Sequence, residues 1–368
     1  MAFTTIQGSG SAATTIVGTS GVDFGSITSI DNYFVGAQQS ADTIGVTANL
    51  SKGTMKGGQG NDTLSFTPGA TITSSFVNTN SNNDSIGLAA AQANFFSSTV
   101  LGGQGNDNVQ INTVNGSTVN GNKNNDTIVA ATVATATLFG GQGNDNITST
   151  ATSSSTVSGD LGNDQITIGG GTHTSNSFNG GGGNDRITIS AATAATNTFT
   201  SNTISGGAGN DVITDNNANI ANGRTTAGTV INGDAGIDTL NMAGFVQAVT
   251  INGGDDGDGI TGGTVNDTLN GDAGQDVIAG GAGNDTITGG TGADDMTMNA
   301  GNDRIINSAG DSIAATVGAS AAINAGTTTF TFGNGVDRVT DALAANDTVV
   351  TGVVGATIIA AGGNVTNL

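Results

Sequence analysis

A nine-residue repeat runs without interruption from residue 253 to residue 306 and constrains the fold more than any other feature of the chain. Its six copies read GGDDGDGIT, GGTVNDTLN, GDAGQDVIA, GGAGNDTIT, GGTGADDMT and MNAGNDRII. The sixth residue of every copy is an aspartate and the eighth is apolar. A constant short period of this kind predicts a solenoid, in which each repeat is one structural unit that stacks on its neighbours.

The residues of the repeat predict both a tight turn and a cation site. Glycines at the first, second and fourth positions allow positive φ where a side chain would clash, so the backbone can turn sharply and point its carbonyl oxygens inward. The aspartate adds a carboxylate, which makes the turn an anionic site lined only by oxygen. Calcium fits better than magnesium, because calcium accepts six to eight irregularly placed oxygens. The last three residues of each copy predict a short strand whose apolar residue points inward.

The pattern G-G-x-G-x-D-x-U-x, in which U is apolar, resembles the repeat of the RTX (haemolysin-type calcium-binding) family. The resemblance implies an all-β fold, a right-handed parallel β-roll or β-solenoid with calcium ions stacked in the Gly/Asp-rich turns. Two nonapeptides would form one turn of about eighteen residues. RTX proteins typically leave Gram-negative cells by type I secretion with an uncleaved C-terminal signal, so the resemblance also implies export by that route.

The same motif recurs at a longer period upstream of residue 253. Full or nearly full copies begin at residues 57, 102, 140, 159, 180 and 206, and weaker ones lie at Asn83–Ile86 and Asn125–Ile128. Their aspartates are nineteen to twenty-seven residues apart, close to one solenoid turn. We therefore expect one aspartate column along one edge from residue 57 to 238. A second column is expected only in the nonapeptide block, which puts calcium at the opposite edge in doubt for residues 57–240.

The candidate calcium ligands are the repeat aspartates and glycines of the turns. The aspartates are Asp62, Asp107, Asp126, Asp145, Asp164, Asp185, Asp211, Asp238, Asp258, Asp267, Asp276, Asp285, Asp294 and Asp303. The glycines are Gly57, Gly60, Gly102, Gly105, Gly140, Gly143, Gly206, Gly209, Gly280 and Gly283.

We predict one continuous elongated domain with four parts. Residues 1–56 form an N-terminal cap or assembly region with degenerate repeats at Gly21–Asp23 and Ala41–Ile44, and residues 57–252 form the long-period solenoid. Residues 253–306 are the nonapeptide block, and residues 307–368 are a C-terminal cap and possible secretion signal. Insertions at 189–203 and 215–230 are expected to bulge from the roll as loops.

The charge balance excludes several partners. The formal net charge is −22 with only seven Lys plus Arg, so a phosphate backbone or an anionic membrane would be repelled. No run of eighteen apolar residues predicts a membrane span, and the first residues lack the features of a signal peptide. The chain has no Cys, so metal is the expected replacement for disulfides, with metal binding and folding as one event.

The sequence offers little catalytic chemistry, and we expect the protein not to be an enzyme. His173 is the only histidine, which excludes multi-histidine metal sites, and we expect it in a solvent-exposed loop. The alternative is a β-helical lyase or epimerase that uses aspartate with Arg186, Arg224, Arg304 or Arg338.

Because repeats fill most of the chain, we expect a secreted, calcium-dependent structural protein that assembles with itself into an extracellular surface layer, sheath or filament. The acidic composition without Cys resembles that of bacterial S-layer and surface-filament proteins. Cell-surface polysaccharide is a possible further partner. The alternative is a calcium-stabilised adhesin or ice-binding module, although an ice-binding plane needs Thr-x-Thr in register and the threonine positions are expected to drift. A third hypothesis is a carrier part of a larger toxin or enzyme.

Overall fold

The computed structural model describes residues 14–17, 24–27, 30–31, 33–37, 39–47, 49–87, 92–190, 198–216, 225–299 and 303–307, and the strands 312–315, 320–323, 329–332, 338–339, 348–351, 357–358 and 364–367. Side chains are described within these ranges from residue 33 to residue 306, except at 225–227. All regular secondary structure in this part of the chain is β-strand. The chain divides into two compact units, Met1–Gly182 and Gly183–Leu368.

The first unit consists of two parallel sheets. One sheet contains the strands Thr14–Val17, Tyr33–Gly36, Thr54–Gln59, Phe76–Ser81, Thr99–Gln104, Thr118–Lys123, Thr137–Gln142, Thr156–Leu161 and Ser177–Gly182. The facing sheet contains Phe24–Ile27, Ile30–Asp31, Thr43–Val46, Leu50–Ser51, Thr63–Phe66, Thr71–Thr73, Ser85–Ile86, Asn94–Phe96, Asn108–Asn115, Thr127–Ala134, Asn146–Ser153, Gln165–Ile168 and His173–Thr174.

The second unit has the same construction with shorter strands. One sheet contains Thr203–Ala208, Thr229–Ala235, Val249–Asp255, Thr268–Ala273, Thr286–Thr288, Arg304–Asn307, Ser320–Ile323, Arg338–Val339 and Thr357–Ile358. The other contains Arg186–Ile189, Thr198–Thr200, Val212–Asp215, Thr225–Ala227, Thr239–Asn241, Gly259–Thr261, Val277–Ala279, Asp295–Thr297, Ser312–Ala315, Thr329–Phe332, Thr348–Thr351 and Asn364–Asn367.

Each strand pairs in parallel with the equivalent strand one turn away. Val119 lies opposite Leu138 in one sheet of the first unit, and Ile128 lies opposite Ile147 in the other. In the nonapeptide block, Ile260 pairs with Ile278, eighteen residues later. The expected all-β parallel β-solenoid is therefore confirmed, and one turn of the nonapeptide block contains two copies of the repeat.

The core is a thin layer of aliphatic side chains between the two sheets. The apolar residue two positions after each turn aspartate points inward, and Val109, Ile128, Ile147, Ile260 and Ile278 are at most 1% exposed. Full burial of such a side chain contributes about 1.5–3 kcal/mol. Alternation of inward and outward residues along each strand keeps this layer continuous from turn to turn.

The strands predicted before the glycines are present at Thr99–Gln104, Thr137–Gln142, Thr156–Leu161 and Thr203–Ala208. Phe330 and Phe332 lie in the strand Thr329–Phe332, as their alternation with threonine indicated. The degenerate repeat at Gly21–Asp23 and residues 191–197 and 217–224 of the two predicted insertions lie outside the described residues. The described part of each insertion includes a strand and not only a loop, and these strands, Thr198–Thr200 and Thr225–Ala227, pair in parallel. The boundaries of the four parts stay predictions.

Two expectations are wrong. His173 is buried, with 1% of its surface exposed, because it occupies an inward position in the strand His173–Thr174. Its Nε2 lies 3.0 Å from the carbonyl oxygen of Gly169, and its ring packs edge-to-face on Phe178.

The threonine positions also do not drift throughout. Thr99, Thr118, Thr137 and Thr156 lie directly opposite one another on four successive turns. The local turn spacing of nineteen residues is constant there, so the same outward position recurs in each strand.

Candidate metal centres

An aspartate column runs along one edge of the first unit. From Asp42 to Asp145, the backbone N–H of each aspartate donates a hydrogen bond to Oδ1 of the aspartate one turn later, over donor–acceptor distances of 2.6–2.8 Å. The column comprises Asp42, Asp62, Asp84, Asp107, Asp126, Asp145 and Asp164. The carboxylates from Asp62 to Asp164 therefore each accept a hydrogen bond from the neighbouring turn and hold the turns in register.

The second unit contains two such columns. The first comprises Asp185, Asp211, Asp238, Asp258, Asp276 and Asp294. The second comprises Asp267, Asp285 and Asp303, and it begins where the backbone N–H of Val249 donates to Oδ1 of Asp267. The expected second column, restricted to the nonapeptide block, is thus present.

The other carboxylate oxygen is buried and accepts no hydrogen bond. This holds for Oδ2 of Asp62, Asp107, Asp126, Asp145, Asp211, Asp238, Asp258, Asp285 and Asp303. Asp267 differs, because its Oδ2 accepts the backbone N–H of Gly263 at 2.6 Å. A buried carboxylate oxygen without a donor is costly unless a cation or a proton compensates its charge.

In most turns of the columns the first residue is a glycine, and it forms a cradle beside this oxygen. A Cβ added to Gly102 would lie 2.5 Å from Oδ2 of Asp107 and 2.8 Å from the carbonyl oxygen of Gly121, one turn later. Equivalent oxygen pairs face Gly121, Gly140, Gly206, Gly233, Gly253 and Gly271. A carboxylate oxygen and a carbonyl oxygen therefore converge on a space that any side chain would fill. Oxygen donors of these two kinds are the ligands that calcium prefers.

The fourth residue of the turn is glycine for a different reason. Gly60, Gly105, Gly143, Gly209 and Gly283 have φ between 115° and 139°. A Cβ at Gly105 would also collide with the backbone of Asn82 in the preceding turn. These glycines permit the sharp bend and the close stacking of turns, whereas the first glycines line the cradle.

Burial raises the pKa of the column carboxyls, because it disfavours their ionised form. It raises the pKa from the usual 3.8 to about 8 for Asp84 and Asp126, to about 7 for Asp62, Asp211 and Asp258, and to about 6 for Asp107, Asp145, Asp238, Asp285 and Asp303. The pKa of Asp267 is raised for the same reason. The backbone N–H donors oppose this effect only in part. The ionised column therefore needs a compensating cation.

The donor set points to calcium bound largely by backbone oxygen. Within the described ranges, no three His, Cys, Asp or Glu side chains converge on one point, because each turn contributes one aspartate to a column. A zinc site of nitrogen and sulfur ligands does not fit this arrangement, whereas carbonyl and carboxylate oxygens suit a hard cation. The cradle residues therefore fit calcium.

The opposite edge of the first unit is stabilised by a serine ladder, Ser75, Ser98, Ser117 and Ser155, in place of aspartates. Ser98 Oγ accepts the backbone N–H of Ser75 at 3.1 Å and donates to the carbonyl oxygen of Phe96 at 2.9 Å. In the same way, Ser117 Oγ accepts the backbone N–H of Ser98 and donates to the carbonyl oxygen of Asn115. Ser155 Oγ accepts the backbone N–H of Ala136 and donates to the carbonyl oxygen of Ser153. A hydroxyl donates as well as accepts, so this edge leaves no carboxylate that requires a cation.

Sequence reasoning missed several members of the site. Asp42 and Asp84 were not among the candidate ligands, although both lie in the column. Gly121, Gly159, Gly233, Gly253, Gly271 and Gly289 line cradles and were also omitted. The spacing of the Asp-x-apolar signature indicated Asp42 and Asp84, and the first glycines stand five residues before their aspartates.

The fold and these turns define a class of protein, the calcium-binding parallel β-rolls. The sequence profile of the RTX calcium-binding nonapeptide repeat (4 copies) matches residues 137–151, 174–188, 198–219, 261–296 and 270–305. These segments of the chain therefore contain RTX-type calcium-binding repeats. No curated protein matches the sequence. A helix with the length and hydropathy of a membrane span is absent from the described residues.

Proposed function

We propose that this RTX-repeat protein is a secreted structural protein that assembles with itself, in the presence of calcium, into an extracellular surface layer, sheath or filament. The observation that carries the calcium part is the buried Oδ2 of aspartates such as Asp62, Asp107 and Asp126, which faces a glycine cradle. In this proposal calcium is structural, and the chain has no catalytic role.

Two kinds of oxygen atom in the column would bind each ion. Oδ2 of an aspartate such as Asp107 supplies a ligand, and the carbonyl oxygen of the first glycine in the next turn, Gly121, supplies another. Because the two ligands belong to different turns, each ion would join neighbouring turns. On the order of ten ions, each with two positive charges, would bring the net charge of −22 close to zero.

Two features support self-assembly. Turns of one type account for nearly all of the described residues, which leaves no separate recognition domain among them. The sequence has one His and no Cys, so a cysteine nucleophile and a multi-histidine metal site are missing from it. Partners would be further copies of this chain, with cell-surface polysaccharide as a possible anchor.

Secretion is part of the same proposal. A chain whose buried carboxylates need a cation folds poorly where calcium is scarce and folds where it is abundant. An exported protein with this property would stay unfolded in the cytosol and fold outside the cell. The type I route without an N-terminal signal peptide, which the family typically uses, fits such a chain.

Negative-stain electron microscopy tests the proposal. Purified full-length protein is imaged after dialysis into millimolar calcium, into the same concentration of magnesium, and into chelator. Ordered sheets or filaments that form only with calcium are the expected result. Discrete particles in every condition would overturn self-assembly, and a sample that assembles equally in magnesium would overturn the role of calcium.

The aligned threonines favour a second candidate, an adhesin or ice-binding module. Thr99, Thr118, Thr137 and Thr156 form a regular outward rank on one sheet. Two residues further along the same strands the aligned residues are Leu101, Asn120, Phe139 and Ser158, of which Ser158 is buried, so the second threonine of a Thr-x-Thr rank is missing. Thermal hysteresis of the calcium-loaded protein, lost on replacing Thr118 and Thr137 with lysine, would establish this function instead.

A further inference from the structure

Within the first aspartate column, the turn at 79–84 begins with a threonine side chain where the turns at 57–62, 102–107, 121–126 and 140–145 begin with a glycine cradle; the turn at 37–42, which precedes them, begins with Ala37. The first residue of successive turns is Gly57, Thr79, Gly102, Gly121 and Gly140. Thr79 stands five residues before Asp84, as each glycine stands before its own aspartate. Its side chain is fully buried, with 0% of its surface exposed. The cradle of this turn is therefore filled by the protein itself.

The Thr79 hydroxyl contacts the oxygen that an ion would otherwise contact. Oγ1 of Thr79 donates a hydrogen bond to the carbonyl oxygen of Gly102 at 2.6 Å. In the turn that follows, the equivalent carbonyl of Gly121 faces Oδ2 of Asp107 across the cradle. A carbonyl oxygen that accepts a hydroxyl proton has a partner already and is not free to bind a cation in the same direction.

The turn at 121–126 provides a matched comparison. Its second and fourth residues, Asn122 and Asn124, have φ of 79° and 72°, close to the 73° and 76° of Asn80 and Asn82 in the turn at 79–84. Asn80 and Asn122 also make the same local hydrogen bond, from the backbone N–H to the side chain two residues earlier. The bend is therefore the same in both turns. The cradle differs because its first residue is threonine in one turn and glycine in the other.

We propose that Thr79 takes the place of a calcium ion, so that the turn at 79–84 binds none and the ion column of the first unit is interrupted there. The preceding site keeps its ligands, since the carbonyl oxygen of Thr79 itself lies beside Gly57 and Oδ2 of Asp62. The hydroxyl joins the turn at 79–84 to the next by a direct hydrogen bond, where other turns are joined through the ion. This inference rests on the proposal that the aspartate turns bind calcium, and it is independent of self-assembly.

The test exchanges the two residue types between the matched turns and counts ions. Thr79→Gly opens a cradle and should add one calcium ion per chain. Gly121→Thr should remove one: the backbone of Gly121 does not have a positive φ, and the added side chain would take the space beside Oδ2 of Asp126 and the carbonyl oxygen of Gly140, both of which must shift to admit it. The double variant should bind the wild-type number. Bound calcium is measured on the full-length protein by equilibrium dialysis with elemental analysis, and circular dichroism confirms that each variant is folded.

The outcomes separate the two proposals. No bound calcium in the wild-type protein would overturn calcium binding by the aspartate turns, and with it this inference. Wild-type binding with no gain in Thr79→Gly would overturn the inference alone. If Thr79→Gly does not fold, Gly121→Thr decides: the loss of one ion supports replacement by threonine, and an unchanged count shows that threonine and calcium share a turn.

Discussion

Asp107 and Asp126 lie one turn apart, and the backbone N–H of Asp107 donates to Oδ1 of Asp126 at 2.7 Å. The residues just before them are joined in the opposite direction, because the backbone N–H of Asn125 donates to Oδ1 of Asn106 at 3.1 Å. The Asn-Asp pair of the repeat thus connects each turn to both of its neighbours. The carboxylate stabilises the turns through Oδ1 and is available to a cation through Oδ2.

Substitutions at Asp126 should separate these two roles. In Asp126→Asn the amide oxygen can still accept the N–H of Asp107, but the charge that binds a cation is lost. In Asp126→Ala the N–H of Asp107 also loses its acceptor inside the protein, which costs about 1–3 kcal/mol. We expect both variants to bind less calcium, and Asp126→Ala to be less stable than Asp126→Asn in chelator. Denaturant unfolding and calcium counting measure the two effects.

Equal stability of the two variants in chelator would contradict the role assigned to Oδ1.

A substitution at Asp285, in the second unit, should loosen only nearby turns, because the contacts of a solenoid are local. Asp285→Ala should raise amide hydrogen exchange only in the neighbouring turns at saturating calcium, and global unfolding would contradict that expectation.

Gly253 and Gly259 provide a matched pair for the cradle. A Cβ at Gly253 would lie 2.6 Å from the carbonyl oxygen of Gly271 and would also collide with Oδ2 of Asp258, whereas a Cβ at Gly259 has only an ordinary contact at 3.7 Å. Gly253→Ala should therefore bind at least one ion fewer than the wild type, and Gly259→Ala should bind the wild-type number. An unchanged count in Gly253→Ala, measured by equilibrium dialysis, would show that the ion lies elsewhere.

Much of this architecture could be predicted from the sequence because the repeat encodes it locally. Gly and Asp at fixed offsets specify a turn, a carboxylate and the inward apolar residue after it, as at Asp258 and Ile260. The serine ladder could not be predicted, because Ser75 and Ser98 stand among many other serines and threonines with no distinguishing motif. The burial of His173 was missed since a two-residue strand has no periodicity to detect. Thr79 was missed for the same reason, because it too stands among many other serines and threonines with no distinguishing motif.

The raised pKa values predict how stability without calcium depends on pH. Burial raises the folded-state pKa of Asp126 to about 8 and that of Asp211 to about 7, above the ordinary value of 3.8. The folded state therefore binds protons more tightly than the unfolded chain, so its stability is fully present below about pH 4 and falls as the pH rises through these values. We expect the protein in chelator to be most folded in mild acid and to unfold between about pH 5 and pH 8.

Circular dichroism in chelator and in saturating calcium measures this dependence. Calcium should largely remove the loss of structure toward neutral pH, since the cation replaces the protons as the compensating charge. Stability in chelator that increases from pH 4 to pH 8 would contradict the prediction. Asp126→Asn is the matched control, because it removes one of the most strongly shifted carboxyls and should reduce the pH dependence.

The serine ladder predicts that the two edges of the first unit respond differently to calcium. Ser98→Ala leaves the backbone N–H of Ser75 without its hydroxyl acceptor, which costs about 1–3 kcal/mol in the free energy of unfolding. The fold should survive, because Ala136 already stands in the line of the ladder between Ser117 and Ser155.

The number of bound calcium ions should not change in Ser98→Ala, because the hydroxyl donates its proton to the carbonyl oxygen of Phe96 and the ladder of Ser75, Ser98, Ser117 and Ser155 contains no carboxylate. Unfolding at saturating calcium and ion counting on the same sample test both statements. A lost ion would mean that the serine edge also binds calcium. An unchanged count with reduced stability would show that Ser98 stabilises its edge of the turn by hydroxyl hydrogen bonds without calcium, and that calcium acts on the edge formed by the aspartate column.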